Sequence, residues 1–309
     1  MPLLFLTALV ILLLVLGVAT AHRVTHPPRK TYAVALAREL PTDPQSVALD
    51  GDVCRFRLPD DQWTDGFDLM GRNPEGPVVI FTHGWSDSRF GALTWAPAMA
   101  DFISRLVVYD LRGHGDSPDT CSHLGAREGH DLCAIIDQVT TETEFHGAGS
   151  RPLVLWGHSL GALITLIAAS DANAPPIGGI VLDGLVRSFS EAVLGRLRLM
   201  RMPARIITPL AMGTLALWDS RIVRLQSSEA ASRVSCPMLM MHGAMDPIAP
   251  LKSAQTVAAG NANARFIVFP EGGHGNLAMS GVEQHRAALA QFFEEISACP
   301  SRPPSTTPS

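Results

Sequence analysis

The chain has 309 residues, 47% of them apolar and 17% charged, with a formal net charge of −5. That composition can bury a large core, which excludes an intrinsically disordered chain. The acidic balance, with an isoelectric point near 6.1, excludes the basic footprint of a nucleic-acid binder. A mean hydropathy of +0.18 is high for a soluble domain, so the location of the apolar excess is the first question.

Much of it lies at the start. Leu3 to Ala21 carries no charge, and as a helix it would extend roughly 28 Å, close to the ~30 Å hydrocarbon core of a bilayer. Two readings compete. One is a retained single-pass anchor over residues 1–21. The other is a secretory signal cut after Ala21, since Ala19-Thr20-Ala21 fits the small-x-small cleavage pattern. No Lys or Arg precedes the run, whereas Arg23, Arg29 and Lys30 follow it. That asymmetry favours the anchor and puts the globular part on the cytoplasmic side; with signal cleavage it would be exported instead. Residues 22–50 are Pro-containing and irregular and read as a linker.

Strand-like runs follow at 53–58, 67–71, 78–83, 106–110, 153–157, 177–183, 238–242 and 265–269. The later ones are almost wholly apolar, as strands covered on both faces are. Helix-like stretches lie at 92–104, 126–145, 160–171, 251–260 and 281–297. The alternation predicts an α/β fold with a mostly parallel eight-stranded sheet flanked by helices. The first strands lack intervening helices, so that edge should be antiparallel. The core divides into 51–184 and 236–298, and residues 299–309, rich in Pro, Ser and Thr, read as a disordered tail. Five cysteines (54, 121, 133, 236 and 299) show no metal or disulfide spacing, although a Cys121–Cys133 bridge fits an oxidising compartment.

Residues 185–235 break the alternation. A structureless loop of that length is unusual in a compact domain, and the segment is rich in Leu, Met and Arg, so it reads as a helical cap insertion. Eight arginines (187, 196, 198, 201, 205, 221, 224 and 233) against Glu191, Asp219 and Glu229 give it a charge of +5. It reads either as simple packing over the core or as a lid with an apolar inner wall and arginines facing anionic lipid headgroups.

The chemistry centres on Gly157-His158-Ser159-Leu160-Gly161, which joins an apolar strand to an apolar helix. A sharp turn there pushes a serine hydroxyl outward, and glycines two residues either side remove clashing side chains. A serine needs a base, and the base an orienting carboxylate. His274 follows the last strand and Asp246 the one before it, so Ser159, Asp246 and His274 each lie just past the carboxyl end of a strand. Backbone N–H groups of Leu160 and Trp85 are the expected oxyanion donors. Asp183 is the competing acid and His285 the competing histidine. His83 and His158 flank the site in packing or hydrogen-bonding roles, and Asp116 and Ser117 shape a turn. The remaining histidines lack metal-ligand spacing, so no metal is expected.

HGW at 83–85, DLRGHGDS at 110–117, GHSLGA at 157–162, MHGAMD at 241–246 and GGHGN at 272–276 together resemble the α/β-hydrolase fold superfamily. The likeness covers about residues 50–297 and leans toward its monoacylglycerol lipase, lysophospholipase and serine-aminopeptidase-like branch. It implies a cofactor-free serine hydrolase with Ser159 attacking, His274 as base then acid, and Asp246 orienting the imidazole through an acyl-enzyme intermediate. Carboxylic esters, acyl or lipid-like, are the implied small-molecule substrates, with membrane contact through the N-terminal segment and no protein partner indicated. Aminopeptidase-like or thioesterase chemistry on the same triad, or a non-catalytic binding protein on this fold, are the alternatives.

Overall fold

The computed structural model describes residues 2–141 and 151–298. Eight strands form one sheet: β1 (Gly51–Arg57), β2 (Trp63–Met70), β3 (Val78–Thr82), β4 (Arg105–Tyr109), β5 (Leu153–His158), β6 (Gly179–Asp183), β7 (Met238–Gly243) and β8 (Ala264–Phe269). Their order is β1-β2-β4-β3-β5-β6-β7-β8. The β1–β2 and β2–β4 pairs are antiparallel and every later pair is parallel. The antiparallel edge falls where the sequence lacks crossover helices, β1 returning directly into β2 as a hairpin.

Successive residues of a strand face opposite sides, and both sides are covered. Ile80, Leu155, Leu182 and Met240 pack under the helices Glu128–Thr141, Leu160–Ala169 and Leu251–Ala259. Val79, Phe81, Trp156 and Val181 pack under Arg89–Leu93 and the long C-terminal helix Val282–Ala298. The stretch 92–104, expected as one helix, is two short ones, Arg89–Leu93 and Ala96–Met99. Pro97 has no N–H to bond the carbonyl of Leu93, so a continuous helix cannot run through it. The end of the expected helix 126–145 and the tail 299–309 lie outside the described residues.

The 185–235 insertion is helical: Phe189–Leu199, Ala204–Trp218, Ser220–Arg224 and Ser227–Arg233. Ser188 caps the first of these, its hydroxyl accepting the Glu191 N–H, while the Glu191 carboxylate accepts from the Arg187 N–H. This Ser-x-x-Glu spacing sets the start of the helix.

The N-terminal helix runs from Pro2 to Thr25, and Leu3, Leu4 and Phe5 are more than 70% exposed. Its last turns are buried against the insertion. Gly17 sits on Leu210, where a Cβ would come within 2.6 Å of the Leu210 Cβ. Residues 22–50 differ from the irregular linker expected. They carry a helix, Tyr32–Ala37, and a 3-10 turn, Pro44–Val47, with Ala35 and Leu49 in the core. Arg29 donates to the carbonyls of Gly115, Ser117 and Asp119, and Lys30 pairs with Asp87 at 2.7 Å. Two charges read as a membrane flank thus also fasten this segment to the body. Cys121 and Cys133 are unbridged.

Candidate active site

The carboxyl ends of β5, β7 and β8 converge, as open parallel sheets place their sites. Ser159 turns the chain from β5 into the helix Leu160–Ala169 with φ 54° and ψ −112°, a strained conformation for a residue with a Cβ. The turn leaves no room at its flanks. A Cβ on Gly157 would meet the Gly161 carbonyl at 2.2 Å, and one on Gly161 the Thr82 carbonyl at 1.9 Å.

The bend brings Ser159 Oγ within 2.7 Å of His274 Nε2. On the other side of the ring, His274 Nδ1 lies 2.7 Å from Asp246 Oδ2. Asp246 Oδ1 accepts the N–H groups of Ile248 at 2.8 Å and Ala249 at 2.9 Å, so the carboxylate is clamped on both oxygens. Burial raises its proton affinity, but the His274 ring and the two N–H groups more than offset this, and the carboxyl sits below its ordinary range. For His274, burial dominates and holds the imidazole below its usual 6.5, against the opposing pull of Asp246; His158 and Arg196 lower it further.

Leu160 is the first residue of its helix, so its N–H has no intrahelical partner. The Trp85 N–H likewise makes no hydrogen bond among the described residues. Both residues line the pocket that holds Ser159. The loop carrying Trp85 is fixed from behind by His83, whose Nε2 accepts the Leu111 N–H while Nδ1 donates to the Gly84 carbonyl. Burial keeps that ring neutral by lowering its pKa. His158 leans over Gly84 and its ring centroid is 5.3 Å from that of His274.

Neither competing residue joins this chain of bonds. Asp183 is fully buried beneath the elbow, 3.4 Å from His158 Nδ1, and neither of its carboxylate oxygens has a hydrogen-bond partner. His285 is buried in the C-terminal helix against Trp156 and Phe269. Asp116 takes part in the DLRGHGDS turn: Asp110 accepts its N–H and Arg89 pairs with both acids.

The pocket around Ser159 is walled by Val24, Val186, Phe189, Val193 and Ile248, with Arg196 the one charged residue among the described residues that line it. None of these is singled out by the sequence as a wall residue, and two show why. Val24 belongs to the N-terminal helix, and its carbonyl accepts the Trp85 indole N–H at 2.8 Å, a contact across 61 residues that leaves no local signal. Arg196 does leave one. It stands seven residues after Phe189 and three after Val193, on the buried stripe of its helix.

Residues of this chain are similar to several known proteins. A protein phosphatase methylesterase 1 of Bos taurus is 31% identical over 141 residues, 43% of this chain and 34% of that one. A lysophosphatidylserine lipase ABHD12 of Rattus norvegicus is 24% identical over 182 residues, 56% of this chain and 42% of that one. The chain thus aligns with well under half the length of these two relatives. The solved structure of a Pyrococcus furiosus esterase superposes with a TM-score of 0.69 over 88% of this chain and 98% of that one, a likeness of fold at 15% identity. A match to the alpha/beta hydrolase family runs over residues 79–292, more than half the chain, and the chain therefore belongs to that family.

Proposed function

We propose that the protein is a membrane-anchored serine hydrolase that cleaves carboxylic esters of acyl or lipid-like substrates. The observation that carries this reading is the unbroken line Ser159–His274–Asp246, two hydrogen bonds of 2.7 Å each, beside two unused N–H donors. Ser159 Oγ attacks the ester carbonyl as its proton passes to His274 Nε2. The resulting oxyanion accepts the N–H groups of Trp85 and Leu160. Collapse expels the alcohol, which takes the proton from His274 and leaves an acyl group on Ser159. Water, deprotonated by the same histidine, releases the acid and restores the serine.

An ester is favoured over an N-terminal peptide because the described residues walling the pocket include no carboxylate to pair with an α-ammonium group. Retention of the N-terminal helix is favoured because Gly17 and Ala21 are buried at its packed end. A hydrolysis screen of p-nitrophenyl esters, monoacylglycerols and aminoacyl amides, run beside fluorophosphonate labelling, tests the reading. Labelling with turnover of esters is expected. A folded protein that is neither labelled nor active would count for a binding protein instead.

The base must be neutral to accept the serine proton, so activity is lost as His274 becomes protonated. With the imidazole held below 6.5, kcat/KM for a neutral ester is expected to reach its plateau by neutral pH. The acid limb should have its midpoint below 6.5, and a midpoint above that would contradict the buried base.

The cap's outer face suits an anionic membrane. Arg198, Arg201 and Arg205 are exposed near Leu199, Met200 and Ile206, each at least 50% exposed. Arg196 points into the pocket instead and is not part of that face. Each basic residue at an anionic surface contributes on the order of 1 kcal/mol. Reversing Arg198, Arg201 and Arg205 together is expected to slow hydrolysis of esters presented in phosphatidylserine vesicles by about ten-fold or more. Rates in phosphatidylcholine vesicles should change far less. Equal rates of wild type and triple variant on both would remove the membrane role of this face.

A further inference from the structure

Of the eight arginines in the cap, seven are exposed and Arg196 alone is turned inward. It lies in the last turn of the helix Phe189–Leu199 and lines the same pocket as Ser159. Its guanidinium carbon sits 4.4 Å from the centroid of the Trp85 ring. No carboxylate of the described residues lies within ion-pair distance of it, and none of its N–H groups makes a hydrogen bond.

A half-buried guanidinium without a paired counter-charge loses hydration that nothing in the protein replaces. Two local contacts explain its placement only in part. A cation is favoured at a helix C-terminus, and the flat group stacks on an indole face. Stacking uses the face of the guanidinium and leaves the N–H edge unfilled, and that edge carries five donors. The other walls are apolar, and the acid whose charge reaches it, Asp246, is committed to His274. The pocket therefore holds one positive charge without an ion-pair partner beside Ser159, and no carboxylate among its described lining residues.

We propose that Arg196 is a specificity-determining residue that selects esters bearing an anionic group, a carboxylate or phosphate, a few atoms from the scissile carbonyl. This rests on the serine-esterase reading above. The anion takes the N–H edge in a charge-assisted, bidentate pair, while the Trp85 ring holds the guanidinium plane in place. The chemistry is shared by two sources, an anion on the acyl side and one on the alcohol side.

Two pairs of substrates separate these with the full-length protein. p-Nitrophenyl hemiglutarate against p-nitrophenyl valerate places the charge on the acyl chain. A lysophosphatidate against the monoacylglycerol of the same chain places it on the alcohol. In at least one pair, the ratio of kcat/KM for the anionic over the neutral ester should fall about ten-fold or more in Arg196→Gln. Arg196→Lys should fall between, because a point charge cannot form the fork, and Arg196→Glu should lower the ratio further. Fluorophosphonate labelling and thermal melting report whether each variant is folded. A measurement on wild type alone stands if they are not: glutarate or glycerol phosphate should slow labelling of Ser159 at constant ionic strength, and a neutral diol should not. A wild-type ratio near one in both pairs, a ratio indifferent to Arg196→Gln, or labelling indifferent to both anions would overturn the proposal and leave the esterase intact. A folded wild type with no labelling and no turnover would overturn both.

Discussion

Replacing Ser159 with alanine is expected to lower ester hydrolysis by about four to six orders of magnitude and to abolish fluorophosphonate labelling. The expectation follows from the geometry of a single atom. Ser159 Oγ is the partner of His274 Nε2 at 2.7 Å, and the loss of that oxygen leaves the base with nothing to activate at the elbow. The remaining N–H donors and the pocket still bind substrate, so KM should move far less than kcat. The fold should be retained. Alanine keeps the Cβ and occupies the same turn, whose shape is set by Gly157 and Gly161 and by the Ser159 N–H bond to the Asp183 carbonyl at 2.8 Å. Residual turnover within ten-fold of wild type, in a variant of unchanged melting temperature, would place the nucleophile elsewhere.

The same turn shows which parts of the molecule can be read from sequence. The strands were legible because a doubly covered sheet demands apolar residues at every position, and runs such as Val78–Thr82 and Gly179–Asp183 are wholly buried. That Ser159, Asp246 and His274 lie at one end of the sheet is legible because each follows such a run, so locating the strands locates the loops. The insertion's helicity was legible from its length and its apolar periodicity. What escaped depends on contacts distant in sequence. Residues 22–50 lack periodicity, and Ala35 and Leu49 are buried because the sheet's neighbouring helices happen to meet them, which no local pattern encodes. Composition alone groups Arg196 with the other seven arginines of the insertion, although its place on the stripe of Phe189 and Val193 sets it apart.

The two acids below and beside the elbow should respond in opposite ways to the same change. Asp246→Asn is expected to reduce kcat/KM by about four orders of magnitude. Its Oδ1 accepts two backbone N–H groups, so an asparagine must keep its carbonyl oxygen there and turn its NH₂ toward His274. Nδ1 then has to accept a hydrogen bond, the imidazole proton moves to Nε2, and Nε2 can no longer take the proton of Ser159. Asp183→Asn carries no such consequence. Asp183 contacts His158 and not His274, and its buried carboxylate oxygens have no hydrogen-bond donor to lose. Its isostere should leave kcat/KM within about ten-fold of wild type, because no bond to His274 is lost. A pH profile separates the acids further. The Asp183 variant should keep the acid limb below 6.5 that the buried His274 imposes. The Asp246 variant should show residual activity that rises with pH well past that point, since it must rely on hydroxide rather than a histidine base. If Asp183→Asn proved the more damaging of the two, the carboxylate that orients His274 would be the one at the end of β6.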